Sequence, residues 1–249
     1  MKLLLSALFI ILLLPPGTAH AQYTQQGTIT YERKINTYIE IEEYGENNTE
    51  WMDRMKSRIP KFKTSTFFLS FNMNKSIYKP IKKEDDKDNG WWGDPPAADN
   101  TVLTDFKSGQ VTAAKLIFEK KFLVKDTLRK LQWKITGEIR TIGDFKCRKA
   151  VGRICDSVYV VAFYTDDIMV SGGPEMFGGL PGMILELAIP RLHTTWTATK
   201  IEITTPKTED LVAPEKGKQV TEKELYETLQ DSFSDWGRHA ARNLWWSIL

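Results

Sequence analysis

Residues 131–151 read LQWKITGEIRTIGDFKCRKAV and residues 157–168 read SVYVVAFYTDDI. β-Branched and aromatic residues recur through both, with Gly137 or Gly143-Asp144, and Val151-Gly152, as turn signals. Short strands broken at regular intervals predict an antiparallel sheet. The text on either side continues the pattern. TVLTDF (101–106) and AKLIFEKKFLVKDTL (114–128) read as strands, with breaks expected at Lys107-Ser108-Gly109 and at Lys125-Asp126. Upstream, GTITYERKI (27–35) alternates as a first strand and YIEIEE (38–43) prolongs the alternation. KTSTFFLSFNMNKSIYKPI (63–81) reads as one strand or two.

Between these strands, Asn48 or Thr49 is placed to cap a short helix through Trp51, Met52 and Met55, stopped by Pro60. Near the end, Thr221 and Glu224 have the spacing of a capping box. Leu225, Leu229, Phe233 and Trp236 then share one face of an amphipathic helix, and the closing NLWWSIL is unusually apolar. The expected fold is mainly β: an antiparallel curled sheet or sandwich, with a short helix in the N-terminal half and a C-terminal amphipathic helix. The expected organisation is a leader over 1–21, a β domain over 22–205 with a surface loop at 82–100, and a linker and helix over 206–249. The absence of a GxGxxG loop and of a βα alternation argues against a dinucleotide-binding fold.

The first 22 residues, MKLLLSALFIILLLPPGTAHAQ, combine Lys2, an apolar run from Leu3 to Leu14 and Ala19-His20-Ala21. That is the pattern of a signal peptide cut near Ala21. The apolar run is shorter than the ~20 residues a bilayer span needs, and no transmembrane span is expected elsewhere. Export to the periplasm or beyond follows. The 34 basic and 32 acidic residues nearly cancel, so no net field favours nucleic acid. In an oxidising compartment, Cys147 and Cys155 in FKCRKAVGRICDSV are candidates for a disulfide across a hairpin turned at AVGR, with two separate buried thiols as the alternative.

A second stretch poses the functional question. In FGGLPGMILEL (177–187), Gly178, Gly179, Leu180, Pro181 and Gly182 crowd in front of an apolar strand. Pro181-Gly182 fits the centre of a type II turn. Gly178 and Gly179 suit close approach of another backbone. The loop reads either as a tight entry to a buried strand or as one wall of a binding cleft with Tyr164, Asp166 and Phe177. Trp91 and Trp92, set in the charged loop KKEDDKDNGWWGDPPAADN (82–100), read as core-facing rings or as an aromatic platform for sugar or peptide. Asp166, Asp167, Glu175 and Glu186 are the carboxylates from which a hydrolase would draw a pair, one with a raised pKa. Adjacent Asp166 and Asp167 point to opposite faces of a strand and pair only within a turn. Glu186, alone in an apolar strand, calls for an arginine or lysine on a neighbouring strand. His193 lacks a GxSxG nucleophile to serve, and no histidine spacing suggests a metal. The acidic run from Glu84 to Asp88 lacks the spacing and glycine of a calcium loop. No metal or other cofactor is expected.

FGGLPGMILEL resembles the motif of the GLPGLI family, exported proteins of Bacteroidetes, with Met183-Ile184 in place of Leu-Ile. GTITYE (27–32) resembles that family's opening strand and GDFKCRKA (143–150) its cysteine-containing strand. VAFYTDDIMVSGGPEMFGGLPG (161–182) resembles the stretch leading into the motif, with Phe163 where many members carry Trp. The family is in turn distantly similar to an N-terminal β domain of some secreted peptide-N-glycosidases. The resemblance implies an accessory β fold in the cell envelope rather than glycosidase chemistry, and it supplies no catalytic residues. The leading expectation is a non-catalytic domain that binds a glycan, peptide or surface protein. The alternatives are a carboxylate-dependent hydrolase and a structural subunit of an outer-membrane complex docking through Trp245, Trp246 and Leu249.

Overall fold

The computed structural model describes residues 23–45, 48–82, 95–155, 158–237 and 239–249. Its strands are β1 (Gly27–Asn36), β2 (Phe62–Phe71), β3 (Lys75–Pro80), β4 (Thr101–Asp105), β5 (Gln110–Ile117), β6 (Lys120–Thr127), β7 (Lys134–Ile142), β8 (Phe145–Ile154), β9 (Val158–Thr165), β10 (Met183–Ile189), β11 (Thr194–Glu202) and β12 (Lys218–Val220). The helices are α1 (Thr37–Gly45), α2 (Thr49–Lys56), α3 (Glu222–Ser232) and α4 (His239–Ser247). All the strands join one sheet in the order β12-β6-β5-β4-β3-β2-β1-β11-β10-β9-β8-β7. The sheet is antiparallel except at one edge, where β12 runs parallel to β6. The fold is therefore mainly β in a single open sheet.

Connectivity makes this sheet curl. β6 and β7 stand ten places apart in the strand order, about 48 Å across a flat sheet at a strand spacing of ~4.8 Å. The link from Thr127 to Lys134 reaches at most about 25 Å. The two edges must therefore bend toward each other. The concave face is filled from two sources. The segment between β9 and β10 contributes Ile168, Phe177 and Leu180. The tail contributes Leu244, Trp246 and Leu249. These pack in one cluster with Ile29, Phe67, Val124 and Tyr164 of the strands.

Local chemistry explains where the elements begin and end. Asn48 caps α2, its side chain accepting from the Trp51 amide at 3.0 Å. The Thr221–Glu224 box opens α3, and Gly143, at φ +57°, turns the β7–β8 hairpin. Several expectations are corrected. YIEIEE forms α1 and not a strand, because Thr37, Ile41 and Gly45 also recur at a helical spacing and are the buried positions. Lys125-Asp126 is no break: both continue β6, opposite Thr112 and Val111. The hairpin turns instead at Phe118-Glu119, whose φ angles are +44° and +66°. Of the two alternatives for the next break, Gly143 makes the turn and Gly137 lies within β7.

Val151-Gly152 continue β8. Gly152 makes room for the Trp133 ring, whose nearest atom lies 2.9 Å from where a Cβ would stand. An uninterrupted β8 removes the AVGR hairpin. Cys147 and Cys155 then lie near opposite ends of this strand, about 26 Å apart at the strand rise, far beyond disulfide reach. Cys147 is buried and Cys155 exposed, and burial pushes the Cys147 thiol up to about 12. The C-terminal helix is broken in two around Gly237, at φ +55°.

Candidate functional site

The segment between β9 and β10 is built around backbone contacts that only small residues allow. A Cβ on Gly182 would stand 2.0 Å from the Thr165 carbonyl oxygen, and one on Gly178 would stand 2.7 Å from that of Ser171. The Gly182 amide donates to Leu180 O at 2.8 Å, which makes an inverse γ-turn centred on Pro181. The expected type II turn is thus replaced by a tighter one, and Gly182 adopts φ +147°. The Trp133 indole donates to Gly178 O at 2.9 Å, and the Gly179 amide donates to Ser171 Oγ at 3.0 Å. Beyond the turn, the Tyr31 hydroxyl donates to Ile184 O at 2.5 Å.

Beneath this loop lies a buried polar cluster that reading the sequence did not find. Glu175, at φ +54°, accepts a 2.8 Å hydrogen bond from Asn100 Nδ2. Burial raises its pKa, opposed by the Asn100 bond and by the charges of Arg33 and Lys115. Arg33, fully buried on β1, donates from Nη1 to Pro96 O at 2.8 Å. Its guanidinium lies over Phe67, Trp246 and Trp196 at 5.0, 5.6 and 5.8 Å, a cation–π box that stabilises charge without water. Trp196 Nε1 donates to Tyr78 Oη at 3.0 Å. Lys115 donates to Ser247 O at 3.2 Å and to Leu249 O. The signals in the sequence were Glu175 among the acids near the loop and a basic residue at an inward position of each of two apolar strands.

The expected site residues separate. Tyr164 and Phe177 are buried, while Asp166 faces solvent and pairs with Arg148 at 3.1 Å. Trp91 and Trp92 lie outside the described residues. Glu186 pairs with Arg140 of β7, an arginine three strands away that reaches across the Phe163 ring at 4.0 Å. Asp167 Oδ2 lies 3.4 Å from the Thr165 hydroxyl. Glu175 is sealed in the core. The carboxylates therefore serve separate partners. His193, at φ +48°, meets Glu43 at 2.9 Å. Glu43 and Glu40 both hold Arg242 of α4. Trp246, Ile248 and Leu249 are buried against the sheet. Among the described residues, no group of three or more histidines, cysteines or acids is poised for a metal, and no helix is long and apolar enough to cross a membrane.

A curled sheet plugged by its own loop and tail defines a β-rich domain with a filled interior. The profile of the family described as N-glycanase peptide, N-terminal domain, matches residues 95–227, more than half of the 249 residues; the chain belongs to this family. Two crystal structures of PNGF-II share the fold. The first, in space group C2, has a TM-score of 0.52 at 18% identity over 89% of this chain and 33% of that one. The second, in space group P21, has a TM-score of 0.51 at 19% identity over 79% and 32%. The chain thus spans about a third of the length of these relatives. No curated protein matches it.

Proposed function

We propose that this protein is an exported, non-catalytic accessory domain that binds glycoprotein or glycopeptide in the cell envelope or at the cell surface. The observation that carries the reading is membership of a family described as the N-terminal domain of an N-glycanase. The separate engagement of the acids supports it, because glycoside hydrolysis needs two carboxyls held across one bond. The GLPGLI-like motif and the leader-like N-terminus support export after cleavage near Ala21 to the periplasm or surface. The binding residues we assign are Asp166 at the loop rim and Trp91 and Trp92.

The test incubates the mature chain, from Gln22, with an N-glycosylated ribonuclease, and measures both glycan release and retention on the immobilised protein. Retention without release is expected, with retention at least tenfold weaker for the Trp91→Ala/Trp92→Ala variant. Catalytic release of glycan by the wild-type chain, or no retention at all, sinks the reading.

A further inference from the structure

Where the two edges of the curled sheet approach, a cleft of about 500 Å³ opens between the β6–β7 link, the end of β8, helix α3 and Ile248, just beyond α4. Its volume lies in the range of small-molecule sites. Ile154 and Ile248 line it together with the Tyr226 ring, and three cations, Arg129, Arg153 and Lys223, stand among them. The two acids in the wall are already engaged. Asp126 accepts from the amides of Thr127 at 2.7 Å and Glu222 at 2.9 Å. Glu222 pairs with Arg129 at 2.5 Å.

The cations are less satisfied. Arg129 also donates to Ile248 O at 2.7 Å, yet its buried Nε and Nη1 have no hydrogen-bond partner among the described residues. Among the described residues, Lys223 meets only Glu227, at 3.8 Å and largely in solvent. Arg153 is exposed, and no acidic group among the described residues pairs with it.

We infer that this cleft at the closing seam of the sheet binds a small organic carboxylate, with its apolar body against Ile154, Ile248 and Tyr226 and its charge toward Arg153 and Arg129. An arginine fork suits a carboxylate better than a point charge does. The apolar lining disfavours a bare inorganic anion. A ligand here would touch the link, β8, α3 and Ile248 after α4 at once, tying the tail to the sheet. The inference is independent of glycoprotein binding.

The probe is 4-phenylbutyrate, compared with the uncharged 4-phenylbutan-1-ol and with inorganic phosphate. Each is titrated into the mature chain while the amide resonances of Ile154, Tyr226 and Ile248 are followed. Saturable shifts at these amides are expected, with the carboxylate binding at least tenfold more tightly than either comparison compound. Arg153→Gln changes an exposed residue, leaves Tm unchanged and weakens the carboxylate about tenfold; Lys223→Gln weakens it less. A dipeptide ending in phenylalanine, with and without C-terminal amidation, shows whether a peptide end also supplies the carboxylate. Equal affinity for alcohol and acid, equal affinity for phosphate, undiminished binding by Arg153→Gln, or no saturable shift overturns the inference.

Discussion

The Lys115 ammonium on β5 donates to the backbone oxygen of Leu249, 134 residues further along the chain. It also reaches Ser247 O, so one buried cation anchors the tail inside the sheet. Burial lowers its pKa from 10.5 to about 8, against the opposing charge of Glu175. In the unfolded chain the ordinary value returns. Between pH 8 and 10.5 the unfolded state then binds more protons, so this group's contribution to stability rises with pH there and is level below 8. Measured as wild type minus Lys115→Met, the unfolding free energy should shift toward wild type by up to about 3 kcal/mol across that window. A flat difference in denaturant titrations at pH 7.5, 9 and 10.5 would show that Lys115 is not buried as described.

Gly182 and Gly179 should answer differently to alanine. At Gly182 a methyl group meets the Thr165 carbonyl at 2.0 Å, and β9 cannot yield without breaking its ladder with β10. Gly182→Ala should cost more than about 3 kcal/mol. Gly179 has φ +85° but its nearest neighbour, Trp133 Nε1, stands 3.7 Å away. Gly179→Ala should cost only the left-handed backbone penalty, about 1–2 kcal/mol. Urea midpoints of the two variants check the order.

Arg242 holds α4 to α1 through Glu40 at 2.5 Å and through Glu43. Its side chain is about 10% exposed, whereas that of Glu43 is about half exposed. Solvent screening on that side lowers the cost of Arg242→Ala to about 2–3 kcal/mol. Limited proteolysis should then cut first between α3 and α4, near Gly237. Unchanged cleavage kinetics would mean that the apolar contacts of Trp246 and Leu249 suffice to hold the tail.

The Phe118-Glu119 turn uses two positive φ angles without glycine or asparagine. Phe118 compensates by packing edge-on against Phe233 and Trp236 at 5.5 and 5.1 Å. Among the ring contacts described, Glu119 has none. Glu119→Gly should therefore stabilise the protein by about 1 kcal/mol, a rise in Tm of about 2–4 °C. Phe118→Gly should fail to stabilise, because it loses the aromatic contacts. Calorimetry on the two variants separates backbone strain from packing.

Local signals were legible where one residue type has one physical use. The Thr221–Glu224 cap, the Asn48 cap, the Gly143 turn and the apolar β10 lie where the sequence predicts them. Misreadings arose where one pattern serves two structures. YIEIEE satisfies both a strand and a helical spacing, and Gly152 serves an indole contact in place of a turn. The buried cluster was illegible because Arg33, Tyr78, Asn100, Lys115 and Glu175 are far apart in sequence. Glu175 stood out only as one of several acids near the loop, and each of the others looks like an ordinary strand or loop residue.

By itself the sequence determined a mainly β domain with its strands, most of its turns and a capped tail helix, because hydrophobic alternation and turn chemistry act over a few residues. Only the tertiary structure decided that a short link draws the two sheet edges together. It also decided that the glycine-rich loop and the tail fill the concave face, and that the acids near the loop are held by separate partners. Those outcomes depend on burial and on distances between residues as far apart in the chain as Glu40 and Arg242, 202 positions, and no local pattern encodes them.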